Sequence, residues 1–562
     1  KIKTVAVYSD ADKDALFVKH ADESYYLGGS QPRESYLDAD KIISIAKKSK
    51  SDAIHPGYGF LSENAPFVNR LKKENIKFIG PNPMAIKKMG DKIESKNLAI
   101  KLKLNVIPGH TAPVKNASEA LKISKKIGFP VLLKASAGGG GKGMRIVRKD
   151  RELEENFIAA KSESKKSFGD DRVFIEKYIE QPRHIEIQIL CDKHGNQIHL
   201  GERECSIQRR YQKVIEECPS PFVDEDMRSE MASQALILAK EVKYDSAGTV
   251  EFVVDSKKNF YFLEMNTRLQ VEHPITELVT GIDLVKQMIL SADNKKLAIR
   301  QEDIKLNGWS IESRIYAEDP TKDFLPSIGR VTRYIEPKKI EKDYEVIRND
   351  TGISPGSEVS LYYDPMISKL AVHSKDRISA INLMINSLQN YYLSGLENNI
   401  DFLIAILDDK KFQKGEISTN FIKEKFKKGY SSNLTMTDDK RQKFGIIAML
   451  MYAKQSFNLS NVISKNFCVK ISEDYLDIFL SEAAIVDNLL FLLIEINKKK
   501  IKVESSFNLN QKLCSFKVNE KIFYFKINDL INMHTSNVSF LDCRTTTVVV
   551  QSTQKDLLKL MP

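Results

Sequence analysis

The spacing of apolar and polar positions changes several times along the chain, and each change predicts a different set of elements. Over residues 1 to about 105, short apolar runs at 4–8, 53–59 and 76–81 alternate with helical segments. Strands that alternate with helices predict βα units with a parallel sheet. We therefore expect residues 1–105 to form an α/β subdomain.

The next segment predicts a small unit built around a β-hairpin. Apolar strands at 130–134 and 144–148 enclose four consecutive glycines, Gly138 to Gly141, and a helical pattern follows at 150–164. Hinged over a ligand, such a hairpin would act as a lid. We assign residues 106–178 to this lid, and residues 179–425 to a larger unit that is strand-rich at first and then mixed.

The last part of the chain predicts a helix followed by a small antiparallel barrel. A polar stretch at 427–433 indicates a linker, which we place at 426–436. Four apolar residues then recur at helical spacing on one face: Phe444, Ile447, Ala448 and Met451. Beyond them, alternating positions such as Cys514, Phe516 and Val518 predict short strands. The helix and the barrel together are expected to occupy residues 437–558.

The glycine run indicates phosphate chemistry. Without Cβ atoms, its backbone can approach a bulky anion closely and direct N–H groups at the anion's oxygens. Lys134 and Lys142 flank the run. A P-loop is excluded because no Ser or Thr follows Lys142, and a dinucleotide fingerprint is excluded because a strand follows Gly143. ATP is therefore the first hypothesis, with a flexible linker as the alternative.

Two glutamates are predicted to face each other on a second hairpin. If strands 249–255 and 260–266 pair Asp255 with Phe260, Glu251 lies directly opposite Glu264. Like charges at such positions repel each other, and a divalent cation would relieve the repulsion. Oxygen ligands beside phosphate suit Mg²⁺ or Mn²⁺, and Asn266 is a third candidate ligand. The alternative is that one glutamate is merely exposed at an edge.

Three polar side chains follow this hairpin at alternating positions. If the segment is extended, Arg268, Gln270 and Glu272 point the same way. A guanidinium, an amide and a carboxylate that converge would form a pocket for a small planar anion, with a base attached. The alternative is a surface ladder of ion pairs.

Composition narrows the function classes. At 562 residues the chain should contain several domains. Its net charge of +11 comes from basic residues interleaved with acidic ones, without a basic stripe rich in aromatic residues, which argues against nucleic-acid binding. No apolar run reaches the roughly 18 residues that span a bilayer. Six cysteines without C-x-x-C or zinc spacing predict reduced thiols.

Four segments together resemble biotin carboxylases of the ATP-grasp fold. They are KASAGGGGKGM (134–144), EKYIEQPRH (176–184), QRRYQK (208–213) and EMNTRLQVEHP (264–274). The resemblance runs from residue 1 to about 425. It implies a multidomain α/β and α+β architecture, with a Rossmann-like N-terminal subdomain, a glycine-rich lid and a C-terminal ATP-grasp subdomain.

Further segments are similar to the alpha subunits of propionyl-CoA carboxylases. They are VKY (242–244), SAGT (246–249), NGW (307–309) and YYDPMISK (362–369). The helix and barrel of the tail resemble the BT domain of that family, which holds the carboxyltransferase beta subunit.

The resemblance implies that ATP activates bicarbonate as carboxyphosphate and that the carboxyl group then moves to N1′ of biotin. The implied bicarbonate contacts are Lys213, Arg268, Gln270 and the Val271 backbone. The implied catalytic residues are Glu272, Arg314, Lys213 and Arg268; Glu272 would deprotonate bicarbonate, and Arg314 would stabilise the biotin enolate. The implied metal ligands are Glu251, Glu264 and Asn266.

The same resemblance implies a set of ATP contacts: Lys92, Lys134, Gly139, Gly140, Gly141, Met144, Glu176, Lys177, Ile179, His184, Gln208 and Tyr211. For three residues a structural interpretation stays open: Lys92 as a surface lysine, His184 as a turn residue and Arg314 as a strand ion pair. Tyr211 stands where biotin carboxylases often have histidine, which bears on nucleotide affinity and not on the reaction class.

The ends of the chain depart from the family pattern. An opening strand and a glycine-containing turn are expected before Thr4, so we expect the chain to be truncated there. Residues 559–562 are expected to begin the linker to a biotinyl carrier domain, and the sequence has no Ala-Met-Lys-Met biotinylation site. Biotin is therefore expected on a carrier outside this chain.

The predicted function is ATP- and bicarbonate-dependent carboxylation of biotin, the first half-reaction that converts propionyl-CoA to methylmalonyl-CoA. The alternatives are the alpha subunit of a 3-methylcrotonyl-CoA or other acyl-CoA carboxylase, a non-catalytic assembly module, and an ATP-grasp ligase that joins an acid to an amine. The resemblance also implies an α6β6 complex, and the composition predicts no nucleic-acid or membrane partner. We expect it in the bacterial cytoplasm or, alternatively, in the mitochondrial matrix.

Overall fold

The fold was analysed in a computed structural model of the chain. The structure describes residues 2–110, 112–135, 144–168, 171–342, 344–427, 429–430, 438–456, 465–471, 474–487, 489–506, 513–518, 521–530, 535–540 and 546–551. The glycine run, with the predicted ATP contacts Gly139, Gly140 and Gly141, lies outside these residues. Most of the predicted linker at 426–436 and the end of the chain after residue 551 also lie outside them.

The N-terminal unit is an α/β arrangement with short parallel strands. Its elements are β1 (Val5–Ser9), α1 (Leu16–His20), β2 (Glu23–Gly28), α2 (Ala39–Lys48), β3 (Ala53–Ile54), α3 (Ala65–Lys73), β4 (Lys77–Phe78), α4 (Pro83–Gly90) and α5 (Lys92–Lys101). The predicted parallel pairing is confirmed, but among the described residues β1–β2 and β3–β4 form two separate pairs. Strands β3 and β4 span only two residues each, too short to extend one sheet.

The predicted lid contains a four-stranded antiparallel sheet backed by two helices. Its elements are β5 (Gly109–His110), α6 (Ala117–Ile127), β6 (Val131–Ala135), β7 (Met144–Val147), α7 (Leu153–Phe168) and β8 (Val173–Lys177). Strands β6 and β7 pair with Lys134 opposite Met144, as expected for the two arms of a hairpin. The predicted helix starts as a single 3₁₀ turn and extends four residues further, to Phe168.

A nine-stranded antiparallel sheet forms the centre of the molecule, in the order β13-β12-β9-β10-β11-β14-β22-β20-β19. The first elements of this region are β9 (Arg183–Cys191), β10 (Gln197–Arg209), β11 (Gln212–Cys218), α8 (Glu225–Glu241), β12 (Ala247–Val254), β13 (Phe260–Asn266), α9 (His273–Thr280), α10 (Leu284–Ala292) and β14 (Trp309–Tyr316). They are followed by β15 (Glu318–Asp319), β16 (Leu325–Pro326), β17 (Gly329–Arg330), β18 (Arg333–Ile335), β19 (Ile340–Lys342), β20 (Glu345–Thr351), β21 (Glu358–Val359), β22 (Met366–Ser374), α11 (Arg377–Gln389), β23 (Tyr392–Ser394), α12 (Ile400–Leu407), α13 (Lys410–Gln413) and α14 (Phe421–Lys425).

The two faces of this sheet differ in polarity. On β9, Ile185, Ile187 and Ile189 belong to an apolar core shared with helix α8, while His184, Glu186 and Gln188 occupy the alternate positions. Because successive strand residues point to opposite faces, the alternate set lies on the other side of the sheet. Helix α9 packs against β10, β11, β14 and β22. A row of buried polar groups is thereby enclosed between sheet and helix.

The C-terminal unit is a helix with a closed eight-stranded antiparallel barrel, as the alternation predicted. Its elements are α15 (Asp438–Ser456), β24 (Lys465–Ile471), β25 (Asp474–Val486), β26 (Leu489–Ile496), β27 (Lys499–Ser505), β28 (Leu513–Val518), β29 (Lys521–Leu530), β30 (Thr535–Phe540) and β31 (Thr546–Gln551). Phe444 and Ile447 join the barrel core, but so do Ile446 and Met449. The helix therefore buries more than the single face that its spacing predicted.

The cysteines and the helices of the described residues agree with what the composition predicted. Cys191, Cys205, Cys218, Cys468 and Cys514 are buried and free, as expected for reduced thiols, and Cys543 lies outside the described residues. Among the described helices, none combines the length and the apolar character that a membrane crossing requires.

Candidate active site

The candidate site lies on the polar side of the nine-stranded sheet, at the N-terminus of helix α9. Strands β9, β11, β12 and β13 supply its walls, and residues 267–272 connect β13 to the helix. Glu272 is the N-cap residue, and Pro274 follows within the first turn. Proline fixes the backbone in the conformation that a helix needs at its start, so the position of Glu272 is set locally.

Glu251 and Glu264 are directly opposite each other on β12 and β13, as predicted. The turn that was used to predict this pairing is wrong by one residue, because Val254 and not Asp255 pairs with Phe260. Asp255 accepts hydrogen bonds from the backbone N–H groups of Lys257 and Asn259, which fixes a turn that brings Asp255 opposite Asn259. A bulge between Phe262 and Glu264 then restores the register of the glutamates.

Glu251 is almost fully surrounded by donors. Its Oε1 accepts from Asn266 Nδ2 and Gln270 Nε2, both at 2.9 Å, and from Lys213 Nζ at 3.2 Å. Its Oε2 lies 3.1 Å from Nε2 of His184. Burial alone would raise the pKa of Glu251, but Lys213 and His184 outweigh burial and hold that pKa below its ordinary value. Glu251 is therefore ionised throughout the neutral range.

Glu264 is less well compensated. Its nearest ion-pair partner is Lys92, whose Nζ lies 3.9 Å away. Burial and the charge of Glu251 together raise the pKa of Glu264. A second ionised carboxylate at this position is destabilising unless a cation is present, so this pair fits the predicted metal site.

Two other clusters bring possible metal ligands together, with atoms within 4.8 Å of one another: His184, Glu186 and Glu251, and Glu186, Cys205 and Glu272. Glu186 is common to both clusters. Its carboxylate already pairs with Arg203 Nε and Lys213 Nζ, each at 2.6 Å. Because these two cations balance its charge, a divalent ion gains less there than beside Glu264.

Lys213, Glu272 and Arg314 form a continuous chain of charges. Lys213 Nζ donates to Glu272 Oε1 at 2.6 Å, and Arg314 Nη2 donates to Glu272 Oε2 at 3.0 Å. Burial would raise the pKa of Glu272, but Lys213, Arg314 and Arg203 hold it well below its ordinary value. The carboxylate is thus unprotonated and able to accept a proton. Each of its oxygens faces a different predicted substrate site.

The predicted extended conformation of residues 268–272 is wrong. The segment is a bend and a turn that lead into α9, so strand alternation does not orient its side chains. Gln270 Nε2 nevertheless reaches Glu251, and Glu272 reaches Lys213. Arg268 Nη2 donates to Asn266 Oδ1 at 3.0 Å. The three side chains therefore converge on one group of partners through the turn rather than through a strand.

Arg203 was missed by sequence reasoning, although it organises the site. It is fully buried on β10, and its guanidinium donates to five acceptors: Glu186, Gln188, Thr249, Gln270 and Thr276. These acceptors come from β9, β12, the 267–272 segment and α9. A buried guanidinium is stable only when its donors are satisfied, and this one connects four separate segments.

Two further contacts fix the predicted bicarbonate residues. Glu63 accepts from the Thr267 backbone N–H at 2.8 Å and from Arg268 Nε at 3.1 Å, which connects the N-terminal unit to the 267–272 segment. Lys369 Nζ donates to the Val271 carbonyl at 2.6 Å. The Val271 N–H belongs to the same peptide plane as the Gln270 carbonyl, which accepts from the His273 backbone N–H at 3.2 Å, and this contact gives the N–H group a defined direction.

The predicted ATP contacts that the structure describes are distributed over six helices and strands and two connecting segments. Glu176 on β8 pairs with Lys134 Nζ at 3.1 Å and with Lys96, and these lysines overcome the effect of burial to lower its pKa. Met144 faces Lys134 across the β6–β7 pair. Lys177 Nζ donates to the Gly128 and Phe129 carbonyls, and Ile179 follows β8 in a half-buried position.

The remaining ATP contacts lie nearer the metal pair or on a hairpin tip. His184 is buried beside Glu251, and Lys92 at the start of α5 is near Glu264. Gln208 donates to the Cys205 carbonyl at 2.9 Å. Tyr211 lies at the tip between β10 and β11, where its charge environment includes Lys134 and Tyr178. Glu251 and Lys134 thus belong to neighbouring parts of one polar region.

A second pair of facing carboxylates lies beside Arg314. Glu216 on β11 is directly opposite Glu312 on β14, and both are fully buried. Arg314 Nε donates to Glu216 Oε1 at 2.6 Å, but neither oxygen of Glu312 has a hydrogen-bond partner among the described residues. Burial raises the pKa of Glu312 to about 8, Lys369 opposes the rise and Glu216 adds to it. Glu312 is therefore largely protonated at neutral pH.

The missed residues had only a weak sequence signal. Glu186 and Glu312 lie at polar positions of strands in which apolar and polar residues largely alternate, which indicates a polar inner face, and Glu216 lies in a more polar strand. That pattern could have suggested a buried network. It could not have identified Arg203 or Glu63 as partners, because their contacts join distant segments.

Three family profiles match the chain in consecutive segments. They are the biotin carboxylase N-terminal domain over residues 1–86, the ATP-binding domain of carbamoyl-phosphate synthase L chain over residues 91–300, and the biotin carboxylase C-terminal domain over residues 312–424. Together they cover the N-terminal unit, the predicted lid and the nine-stranded sheet.

Known relatives agree with this match. The propionyl-CoA carboxylase alpha chain of Ruegeria pomeroyi is 52% identical over 464 residues, which cover 80% of this chain and 68% of that protein. The mitochondrial propionyl-CoA carboxylase alpha chain of Homo sapiens is 52% identical over 455 residues, 81% of this chain and 62% of that protein. The chain thus spans about two thirds of the length of these relatives.

A solved structure shows the same fold. The biotin carboxylase domain of the Hydrogenobacter thermophilus 2-oxoglutarate carboxylase, crystallised as a dimer with MgADP, ADP and bicarbonate, superposes with a TM-score of 0.71. It is 46% identical, and the match covers 75% of this chain and 92% of that domain. The ATP-grasp biotin carboxylase fold, the facing acidic pair and the relatives at 52% identity together lead to one conclusion: this chain belongs to the family of propionyl-CoA carboxylase alpha chains.

Proposed function

We propose that the chain carboxylates biotin in a reaction that consumes ATP and bicarbonate, as the first half-reaction of a propionyl-CoA carboxylase. The observation that carries the proposal is the position of Glu272. One of its carboxylate oxygens contacts Lys213 and the other contacts Arg314. A single ionised base therefore touches both the residue assigned to bicarbonate and the residue assigned to biotin.

Lys213, Arg268, Gln270 and the Val271 N–H would hold bicarbonate. Glu272 accepts the proton of bicarbonate while a bicarbonate oxygen attacks the γ-phosphorus of ATP, and the bond to ADP breaks. Bicarbonate is a weak nucleophile, so the fixed position of these side chains and the neutralisation of charge carry this step. A related domain whose crystals contain MgADP and bicarbonate supports this assignment.

Glu251, Glu264 and Asn266 would hold Mg²⁺ or Mn²⁺. When bound, the ion neutralises phosphate oxygens and so favours transfer of the phosphoryl group. The like-charged pair, with Glu251 buried and Glu264 partly buried, supports this assignment, because a cation between the two carboxylates offsets the electrostatic cost of ionising both. Lys134, Lys92 and His184 would contribute positive charge around the same phosphates.

Arg314 would stabilise the enolate that forms on biotin when N1′ loses its proton. Its guanidinium is buried and oriented by Glu216 and Glu272 together. A preoriented cation beside a developing anion is the strongest electrostatic contribution that such a site can supply. The enolate form of biotin then takes up the carboxyl group of carboxyphosphate at N1′, the bond from the carboxyl carbon to the phosphate oxygen breaks, and the released phosphate accepts the N1′ proton.

The test is release of phosphate from ATP by the full chain, measured with and without bicarbonate and free biotin. We expect release that depends on bicarbonate, on a divalent ion and on biotin, and we expect Glu272→Gln to abolish it. Glu241→Gln, at the distant end of α8, is the matched control. If the Glu272→Gln variant retained full bicarbonate-dependent activity, the assigned base would be wrong. If amino acids or ammonia replaced bicarbonate, a different ATP-grasp ligase would be indicated.

We further propose a division of the chain into the functional parts of the family. Residues 1–105, 106–178 and 179–425 would form the N-terminal subdomain, the lid and the ATP-grasp and C-terminal subdomain, and residues 437–558 would form a BT domain. The closed barrel with its buried helix α15 supports the last assignment. Such a domain would bind a carboxyltransferase beta subunit, and we propose an α6β6 complex.

The carrier and the compartment follow from the same family. Biotin would be presented on a biotinyl carrier domain, and the acyl-CoA would be selected by the beta subunit. We propose the bacterial cytoplasm, with the mitochondrial matrix as the alternative, since the family includes bacterial and mitochondrial proteins. Co-purification with the native beta subunit, followed by size measurement and acyl-CoA assays, tests stoichiometry and substrate together. Loss of beta binding after removal of residues 437–558 is the expected result.

A further inference from the structure

The hairpin tip that carries Tyr211 has an unfavourable local conformation. Arg209 pairs with Gln212, so Arg210 and Tyr211 are the two central residues of the turn, with φ of 51° and 66°. A two-residue turn with both central residues in the left-handed region normally uses Asn and Gly, because other side chains are strained there. An arginine and a tyrosine adopt it only when contacts from outside the turn hold them.

A group of residues that we call the tip anchor, Arg209, Glu318 and Phe324, fixes the strand residue that borders this turn, Arg209. Arg209 Nη2 donates to Glu318 Oε2 at 2.7 Å, and the side chains are only 13% and 7% exposed. The guanidinium carbon of Arg209 lies 4.1 Å from the centroid of the Phe324 ring. A partly desolvated guanidinium held by both a carboxylate and an aromatic face has a defined orientation.

The anchor residue Phe324 is held in place by contacts of its ring and of its backbone. Phe324 packs edge-on against Phe402, a residue of the large apolar core, with ring centroids 4.8 Å apart. The Phe324 backbone N–H donates to the Asp319 carbonyl at 2.9 Å. Asp319 accepts from the backbone N–H and the hydroxyl of Thr321. The anchor therefore connects Arg209, at the base of the hairpin tip, to the large apolar core through Phe324 and Phe402.

The tip carries one of the predicted ATP contacts, Tyr211. Tyr211 is 63% exposed, and the groups that influence its phenol include Tyr178 and Lys134. Lys134 in turn pairs with Glu176. Tyr211 and Lys134 are both among the predicted ATP contacts, and the position of the Tyr211 ring depends on the turn that Arg209 borders.

We propose that the tip anchor is a positioning device for the nucleotide. On this view, which rests on the proposed function, Arg209, Glu318 and Phe324 do not touch ATP. They fix the strained turn so that Tyr211 meets the nucleotide without a further ordering cost on binding. Glu318 is four residues beyond Arg314 on the same stretch of chain, so the anchor also joins the nucleotide tip to the strand that carries the assigned biotin residue.

The chain contains a matched control on the same hairpin. Arg210 Nη2 also donates to a carboxylate of the 318–324 loop, Asp323 Oδ2, at 2.7 Å, but these side chains are 66% and 83% exposed. Exposed ion pairs of this kind contribute little to structure. Glu318→Gln and Asp323→Asn therefore remove the same kind of contact from neighbouring residues, one from the anchor and one from the surface.

The experiment measures the dissociation constant of MgATP by calorimetry on the full chain. We expect Glu318→Gln to raise it about tenfold and Asp323→Asn to change it by less than about twofold. In a Tyr211→Ala background, Glu318→Gln should have no further effect. The KM for biotin at saturating ATP should stay within about twofold of the unmodified chain, because strand β14 itself is intact.

Three results would overturn the proposal. They are an unchanged dissociation constant in the Glu318→Gln variant, an equal loss in the Asp323→Asn variant, and a full tenfold loss that persists in the Tyr211→Ala background. If Glu318→Gln does not fold, Arg209→Lys keeps the charge but loses the planar fork, and the same predictions apply. If the unmodified chain does not bind MgATP, the proposed function itself fails, which is distinguishable from failure of the anchor.

Discussion

Arg314 donates to Glu272 through Nη2 at 3.0 Å, and this contact connects the residue assigned to biotin with the base assigned to bicarbonate. The same guanidinium reaches Glu216 through Nε at 2.6 Å. Arginine can make both contacts at once because its donors form a rigid fork, whereas lysine has a single donor group. In the proposed mechanism, the two partial reactions would therefore share one oriented cation.

Arg314→Lys is expected to separate the two steps. Charge is kept, so ATP hydrolysis that depends on bicarbonate alone should stay within a few-fold of the unmodified chain. Carboxylation of biotin should fall about 100-fold, because the enolate loses its preoriented partner. Phosphate release and labelled-bicarbonate incorporation into biotin, measured side by side, check this. An equal loss in both assays would mean that Arg314 acts on the phosphoryl step instead.

Glu264→Gln tests the metal pair through stability. In EDTA the substitution removes a like-charge contact with Glu251, so the thermal midpoint should rise. With Mg²⁺ or Mn²⁺ added, the unmodified chain should be stabilised while the variant should gain little. The ion concentration for half-maximal activity should rise at least about tenfold. Asp255→Asn, in the turn of the same hairpin, is a control that should keep the ion response.

Glu63→Gln tests whether the N-terminal unit positions the bicarbonate residues. Glu63 holds the Thr267 N–H and Arg268 Nε across a separation of about 200 residues. Loss of its charge should raise the KM for bicarbonate about tenfold, equivalent to ~1.4 kcal/mol, and leave the dissociation constant of MgATP unchanged. Glu74→Gln removes an exposed partner of Lys47 in the same unit and should change neither value. A rise in both constants would point to general loss of structure.

Glu312→Gln is expected to change how stability depends on pH. The pKa of Glu312 is raised from 4.5 to about 8, so folding takes up a proton between these values. The stability from this group is fully present below about pH 4.5 and is lost as pH rises through about 8. The variant stays neutral at every pH, and its thermal midpoint should therefore rise relative to the unmodified chain as pH increases.

Between pH 4.5 and about 8, ionisation of Glu312 is expected to lower the free energy of unfolding by at most about 1.4 kcal/mol per pH unit. Thermal unfolding at pH 5.5, 7.0 and 8.5 measures it. Lys369, Glu216, Arg314 and Glu272 are the charged groups that influence Glu312, and they are unchanged in the variant. Glu341→Gln replaces an exposed glutamate, and the difference between its thermal midpoint and that of the unmodified chain should be the same at all three pH values. A constant difference for Glu312→Gln as well would show that Glu312 is ionised in the folded chain.

Features with short-range causes could be predicted from the sequence. The opposition of Glu251 and Glu264 depends on a hairpin of about fifteen residues, and alternation within it was enough to pair them. The predicted pairing of Glu251 with Glu264 is correct because two deviations cancel. The turn is one residue out of the predicted register, and a bulge before Glu264 restores it. Nothing in the local sequence indicates the bulge, so its contribution could be found only in the structure.

Features with long-range causes could not be predicted. Glu63 and Arg268 are 205 residues apart, and the acceptors of Arg203 come from four segments up to 73 residues away. A single sequence contains no signal for such contacts, because they depend on how the whole sheet is ordered. The roles of the individual site residues and the limits of the domains stay predictions.

The five hydrogen bonds of Arg203 have a consequence for how substrate meets the site. Since this one side chain fastens Gln270 and the start of helix α9 to two strands, the conformational entropy of those segments is already lost when the chain folds. Bicarbonate, a ligand of only four heavy atoms, can offer little free energy for organising a protein. A site proposed to bind so small an anion has to be ordered before the anion binds, and the hydrogen bonds of Arg203 provide that order.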